Sequence, residues 1–464
     1  MRLSGKSMHA PPIIFIISAN VYYAVLFFLL GSPTMRHVIV IWSRLYALGA
    51  IISLTAVVAG CGVPEKSASL DATVMAESAG GEMTDADEKP TGKTLTNRYL
   101  LVDTHIDVPY RLQNMPDQDV GGSTETGQFD YPRAVEGGLN VPFMSIYIPA
   151  QEEEAGNAKN LANELIDSVE AIVTAHPDKF ALAASTAKVM ENFANNKISM
   201  AMGMENGGPI EGDLANAKHF YDRGIRYITL THSKSNHIAD SSYDENKRWG
   251  GLSDFGKELV PEMNRLGIMV DVSHVSDAAF YDVMEVTKTP VIASHSSARH
   301  FVPGFERNMD DDMLRKLAQN NGVIQLNIGS SFLSEKSSKS SQARREALEA
   351  YMKQMDINAD THAAEAAKII VYAENPYEYA TMKDVIAHID HIVKVAGINH
   401  VGIGTDFDGV GDSLPVGFKD VSEYPNFVDA LLENDYSEPD IEKILGGNTM
   451  RVWREVEAYA AQSE

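Results

Sequence analysis

The sequence predicts an α/β protein, a (β/α)8 TIM-like barrel with a helical insertion after its seventh strand. Three observations lead there: eight short apolar runs recur from residue 98 onward, amphipathic segments separate them, and six of the eight runs end in a His, Asp or Glu. Alternating strand and helix implies a parallel sheet with right-handed crossovers. Eight such units suit a closed barrel, and no Gly-rich dinucleotide fingerprint follows the first run.

The expected strands are Tyr99–Val102, Phe143–Tyr147, Ser199–Gly203, Arg226–Leu230, Met269–Val272, Val291–Ala293, Val323–Leu326 and Val401–Gly404. Each is a short apolar run bounded by polar or turn-forming residues. Leu252–Leu266 and Ala278–Val286 carry apolar residues at helical spacing. Glu335–Asn375 breaks the rhythm, because it is long, charged and Ala-rich. It reads as the helical insertion, a lid or a partner surface. The barrel is expected to span residues 98–464.

Upstream, residues 13–30 form an uncharged apolar run of about the length that spans a bilayer. Met35 to Gly60 has a basic start at Arg36, an apolar middle and small residues before Cys61, the layout of a signal peptide. The V-A-G-C ending resembles a bacterial lipobox, in which the cysteine is lipidated; the other reading of Cys61 is a buried single cysteine. Residues 1–60 therefore read as an N-terminal extension and lipoprotein signal peptide. Within them, residues 1–34 are either upstream of the true start or a first membrane helix. Residues 61–97, rich in Ser, Ala, Gly, Glu and Thr, read as a flexible tether. The expected location is the periplasmic side of a bacterial envelope, held by lipid. Gly62 in place of Asp points to the outer membrane.

The net charge of -25 and sequence pI near 4.9 oppose binding to phosphate backbones, which argues against nucleic acid as a partner. With Cys61 the only cysteine, neither an internal disulfide nor a thiolate zinc site can form. Any metal must sit on imidazoles and carboxylates.

Those residues lie where a barrel does chemistry, at the C-terminal ends of its strands. The first run leads into V-D-T-H-I-D with His105 and Asp107, and the third into M-G-M-E with Glu205. The fourth ends in His232, the fifth in His274, the sixth in His295 and the eighth in Asp406. Singly, each reads more readily as a structural histidine, a turn cap or an arginine partner. Together they form a ring suited to a hydrolytic divalent metal, with zinc the best fit. Three His with Asp107 and Glu205 are enough ligands for two metals.

The motifs M-E-N-G, Y-D-R-G-I-R-Y-I-T-L-T-H, G-L-S-D-F-G, E-M-N-R-L-G-I-M-V-D-V-S-H, P-V-I-A-S-H-S-S-A-R and G-I-G-T-D-F-D-G resemble the membrane (renal) dipeptidases and their bacterial relatives. The likeness runs from Tyr99 to Trp453. It implies a metallo-dipeptidase with two Zn2+, His105 and Asp107 on one ion, His274 and His295 on the other, and Glu205 bridging. It implies a substrate-contacting His232, an Arg307 that grips the substrate's terminal carboxylate, and an acidic Asp406 beside the first metal. The expected reaction is hydrolysis of dipeptides by a metal-bridging hydroxide, with Asp406 moving the proton and Asp408 as its understudy. A homodimer is left open. Two alternatives remain: another binuclear-metal amide hydrolase acting on N-acyl amino acids, and a lipid-anchored binding protein without catalysis. The chain departs from the family at Asn206, where Gly or Ala is common, and across Gly137–Pro149.

Overall fold

The computed structural model describes residues 89–358 and 362–463. The apolar run at 13–30, the signal-peptide layout, Cys61 and the tether up to residue 88 lie outside the described residues. Among the described residues, no helix is long and apolar enough to cross a membrane.

Among the described residues, nine strands form one parallel sheet: β1 Val102–Ile106, β2 Val141–Tyr147, β3 Phe180–Leu182, β4 Ile198–Glu205, β5 Ile225–Thr229, β6 Met269–Asp271, β7 Ile292–Ser296, β8 Val323–Leu326 and β9 Val401–Ile403. Their order is β2-β1-β9-β8-β7-β6-β5-β4-β3, and β2 also pairs with β4, from Phe143 on Ala201 to Tyr147 on Glu205. Eight strands thus close into the expected barrel, ringed by helices. The ninth, β3, adds to the free N-terminal part of β4, Phe180 opposite Ile198. Three residues between two helices give too short an apolar run to be read from sequence.

The barrel strands are buried along almost their whole length, as a parallel sheet covered on both faces requires. One large apolar cluster lies between sheet and helices. A second takes Val102, Phe143, Ala201, Tyr227, Met269, Ile292 and Val323 from seven barrel strands and packs them on Met450 and Trp453. The C-terminal helix Asn448–Ser463 thereby stoppers the barrel, with Trp453 fully buried and 5.2 Å from the Phe143 ring.

Most strand boundaries shift by one to three residues from expectation, and two differences carry a physical lesson. The first strand starts where its expected range ends, so V-D-T-H-I is itself β1. Hydropathy stops at Val102 because Asp103, Thr104 and His105 are polar, yet all three are buried. Their burial is tolerated because they are hydrogen-bonded. Asp103 accepts from the His105 and Thr405 amides at 3.0 Å and from the Tyr424 hydroxyl at 2.5 Å. The second difference is at the tether. Gly92–Arg98 is a helix capped by Thr91, and the Gly92 amide donates to Asp429 at 2.6 Å. Any Cβ at Gly92 would lie 2.0 Å from the Pro425 carbonyl oxygen. Residues 92–97 therefore belong to the folded domain.

The insertion consists of two helices, Glu335–Met355 and His362–Glu374, after the seventh barrel strand. They hold each other partly through Arg344, whose guanidinium lies 3.8 Å over the Tyr372 ring.

Candidate metal centre

Each barrel strand leads into a polar or aromatic side chain at the same mouth. His105 is the penultimate residue of β1, and Asp107 follows the strand as N-cap of helix Val108–Asn114. Glu205 is the last residue of β4, and His295 lies within β7. His232, His274 and Asp406 follow β5, β6 and β9 within three residues. The backbone turns sharply there. His274 and Asp406 have φ of 67° and 65°, and Asn206 beside Glu205 has 78°. Non-Gly residues in this left-handed region carry strain of about 1–3 kcal/mol, which accumulates at functional sites.

Glu205 is the hub. Its Oε2 is 3.4 Å from His105 Nε2, while Oε1 is 3.1 Å from His274 Nε2, 3.3 Å from His295 Nε2 and 3.6 Å from His232 Nε2. One carboxylate therefore turns its two oxygens to two sets of imidazoles. His105 Nε2 is also 3.5 Å from Asp107 Oδ2, and the His105 and His295 rings stack at 3.7 Å. Three overlapping groups have donor atoms close enough to hold a metal: His105, Glu205 and His295; Glu205, His232 and His274; His105, Asp107 and Asp406. His232, expected as a substrate contact, thus also stands within reach of a metal.

Several of these atoms have no hydrogen-bond partner although they are buried. They include His105 Nε2 and Asp107 Oδ1. Unpaired buried polar atoms are costly, and a cation in their midst removes the cost. The donor set is oxygen and nitrogen only, which fits a divalent ion such as zinc. The residues present therefore fit the metal.

Charge within the cluster is uneven. Burial would raise the Glu205 carboxyl, but His105 and His232 hold it well below its ordinary value. Burial and then Asp107 push the Asp406 carboxyl well above the carboxylate range. Burial also keeps His232, His274 and His295 below the usual imidazole value. Asp406 Oδ2 accepts from Asn327 Nδ2 at 2.8 Å. Gly409 sits under both acids: a Cβ there would lie 2.1 Å from Asp406 Oδ1 and 2.3 Å from Asp107 Oδ2.

Arg307 is 3% exposed and reaches in from the loop after β7. It donates to Ser296 Oγ and to the His295 carbonyl, both at 2.6 Å, while its Nε finds no partner. Among the described residues it has no carboxylate within ion-pair distance, which is unusual for a buried arginine. Asp408, expected as the understudy of Asp406, has both oxygens engaged: it is ion-paired to Arg111 at 2.8 Å and accepts from the Gln128 amide at 2.6 Å.

A model of the membrane dipeptidase family (peptidase family M19) matches residues 91–464. The chain belongs to this family. With that membership comes metal-dependent dipeptidase chemistry. The dipeptidase tcpJ of Claviceps purpurea is 34% identical over 345 residues, 73% of this chain and 71% of its own. An uncharacterized dipeptidase of Schizosaccharomyces pombe is 31% identical over 80% of this chain and 83% of its own. Among solved structures, the probable dipeptidase PvdM of Pseudomonas aeruginosa is similar with a TM-score of 0.69 and 27% identity, over 80% of this chain and 98% of that one. A metallo peptidase of Rhodobacter sphaeroides, holding a phosphinate mimic of the dipeptide L-Ala-D-Ala, is similar with a TM-score of 0.64 and 25% identity, over 77% and 99%.

Sequence reasoning missed the strand ends that carry no His, Asp or Glu in this dipeptidase. Tyr147 ends β2, and its ring meets His232 edge-on at 4.8 Å. Ser145, two residues earlier, donates to Glu205 Oε2 at 3.3 Å. Both lie in Gly137–Pro149, the segment expected to depart from the family. Asn327 follows β8 and binds Asp406. Asn206, the other expected departure, ties loops together: its Nδ2 donates to the Ile148 carbonyl at 3.0 Å and its Oδ1 accepts from Asn236 at 3.0 Å.

Proposed function

We propose that the protein is a zinc dipeptidase that reads the free C-terminal carboxylate of its substrate. The observation that carries this is Arg307, a buried cation without a carboxylate partner among the described residues, held within the wall that presents His295. Its free Nε–H and a remaining N–H can pair bidentately with a carboxylate.

His105, Asp107, Glu205, His274 and His295 would hold two zinc ions, with Asp406 at the edge of the first. Bound there, zinc supplies Lewis acidity and a water acidified towards neutrality. Asp406 is placed to take a proton on Oδ1, because Oδ2 is occupied by Asn327, and to return it to the leaving amine. His232 presents Nε2 towards the same space and can donate to the oxygen of the reacting carbonyl. Tyr147 and Tyr243 wall the cleft on either side of His232 and His274, which narrows access for water.

The V-A-G-C motif supports export and lipid attachment at Cys61, with the barrel on the periplasmic side. A panel of free dipeptides, C-terminally amidated dipeptides and N-acyl amino acids tests the reading. Turnover of free dipeptides far above the other two classes is expected. Equal turnover of amidated peptides would remove Arg307 from recognition, and preference for N-acyl amino acids would favour the alternative amide hydrolase.

A further inference from the structure

A hydroxyl group has one proton, and where that proton goes decides what its oxygen must accept. The Tyr227 hydroxyl donates to the Thr104 carbonyl oxygen at 2.9 Å, since a carbonyl can only accept. The same hydroxyl oxygen lies 2.9 Å from His105 Nδ1. With its proton spent on Thr104, Tyr227 must accept from His105 Nδ1–H. That leaves Nε2 as the nitrogen facing Glu205 Oε2, 3.4 Å away, where a metal ion would take the place of a proton.

The same arrangement recurs across the barrel. Ser294 Oγ donates to Asp271 Oδ2 at 2.6 Å and lies 2.8 Å from His295 Nδ1. Asp271 also accepts from Thr229 Oγ1 at 2.5 Å and from the Ser273 and Ser294 amides at 3.0 and 2.8 Å. This buried carboxylate fixes the Ser294 proton, so Ser294 must accept from His295 Nδ1–H. His274 differs, because its Nδ1 is buried without a partner among the described residues. Room for Tyr227 is made by Gly203, where a Cβ would lie 1.9 Å from Tyr227 Cζ.

A metal ligand must be an unprotonated nitrogen, and a partner on the far side of the ring settles which nitrogen that is. We propose that Tyr227 and Ser294 are positioning residues of the metal centre, two hydroxyls that lock His105 and His295 as Nδ1–H tautomers with Nε2 turned to the ions. The proposal rests on the metal-centre reading, but it concerns ligand preparation rather than the reaction.

The test uses the full chain with 15N-labelled histidine: nitrogen spectra are taken with zinc bound, and zinc affinity is measured by chelator competition. Nitrogen spectra should show His105 and His295 as single Nδ1–H tautomers. Tyr227→Phe and Ser294→Ala should each mix the tautomers of their own histidine and lower zinc affinity by about 10–100-fold at one position, the usual effect of losing such a partner. Ser294→Thr, which keeps a hydroxyl, should restore both readouts and guards against a merely structural loss in Ser294→Ala. Native affinity and a native tautomer in either deletion variant would overturn the proposal, as would Ser294→Thr behaving like Ser294→Ala. Tautomer-locked zinc binding without dipeptide turnover would instead refute the functional reading and leave this one standing.

Discussion

Asp406 and Arg307 divide the chemistry at the residue scale. Asp406 touches Asn327 through one oxygen and leaves the other beside Asp107. Asn in its place keeps the shape and an oxygen but accepts no proton. Asp406→Asn is expected to retain metal and inhibitor binding while kcat falls about 10²–10⁴-fold, the usual effect of losing a positioned acid or base. Metal content falling in step with activity would make Asp406 chiefly a ligand. Arg307→Met should raise KM for free dipeptides and abolish their advantage over amidated ones, because a contact made before and during reaction acts mainly on binding. Gly409 offers a third test. A methyl group there must displace two carboxylates, so Gly409→Ala is expected to weaken zinc binding in a chelator titration while the barrel stays folded. Unchanged affinity would show that the Asp107–Asp406 pair moves freely.

Among the elements, the loops after β7 and β8 depend on a histidine outside the metal centre. His388, in helix Met382–Ala396, accepts from the Ala298 amide through Nδ1 at 3.1 Å and donates from Nε2 to the Leu333 carbonyl at 3.0 Å. The bond accepted at Nδ1 needs the neutral ring, and burial lowers its pKa from 6.5 to about 4. The unfolded chain takes up a proton below pH 6.5 that the folded one refuses until about 4. Stability is therefore full above that window and falls as pH drops through it, by about 1.4 kcal/mol per unit. Between pH 7 and 5 the unmutated chain should lose about 2 kcal/mol more than His388→Gln in chemical denaturation. Parallel losses would place the acid sensitivity elsewhere.

The strands were legible where apolar residues dominate, as at Val323–Leu326, which matches β8 at both ends. They were misplaced where the strand itself carries the chemistry. β1 and β7 hold Asp103, His105, Ser294 and His295 inside the sheet, so hydropathy ends before the strand does. The seven strand-end acids and histidines were visible because their residue types are rare beside apolar runs. Tyr147, Asn327 and Tyr227 were not, since their roles come from partners more than fifty residues distant, and Ser294 was not, since its role needs Asp271 on the neighbouring strand; no local pattern encodes either.

For the whole molecule, the same barrel is closed by β2 on β4 and stoppered by Trp453 below the metal centre. Trp453→Ala should cost about 3–5 kcal/mol, the range for emptying a buried aromatic site, and lower the unfolding midpoint without changing substrate preference. A loss under about 1 kcal/mol would mean that the base of the barrel collapses to fill the gap. If Cys61 is the lipid anchor, Cys61→Ser should release active enzyme from membranes, and intact residues 1–60 on the mature chain would refute that attachment. The central claim is a binuclear metal centre built on Glu205. Its most direct measurement is elemental analysis of the purified chain, paired with dipeptide turnover as metal is removed and returned. About two zinc ions per chain, with activity lost on removal and regained on return, is the expected result. Active protein holding no stoichiometric divalent metal would contradict it.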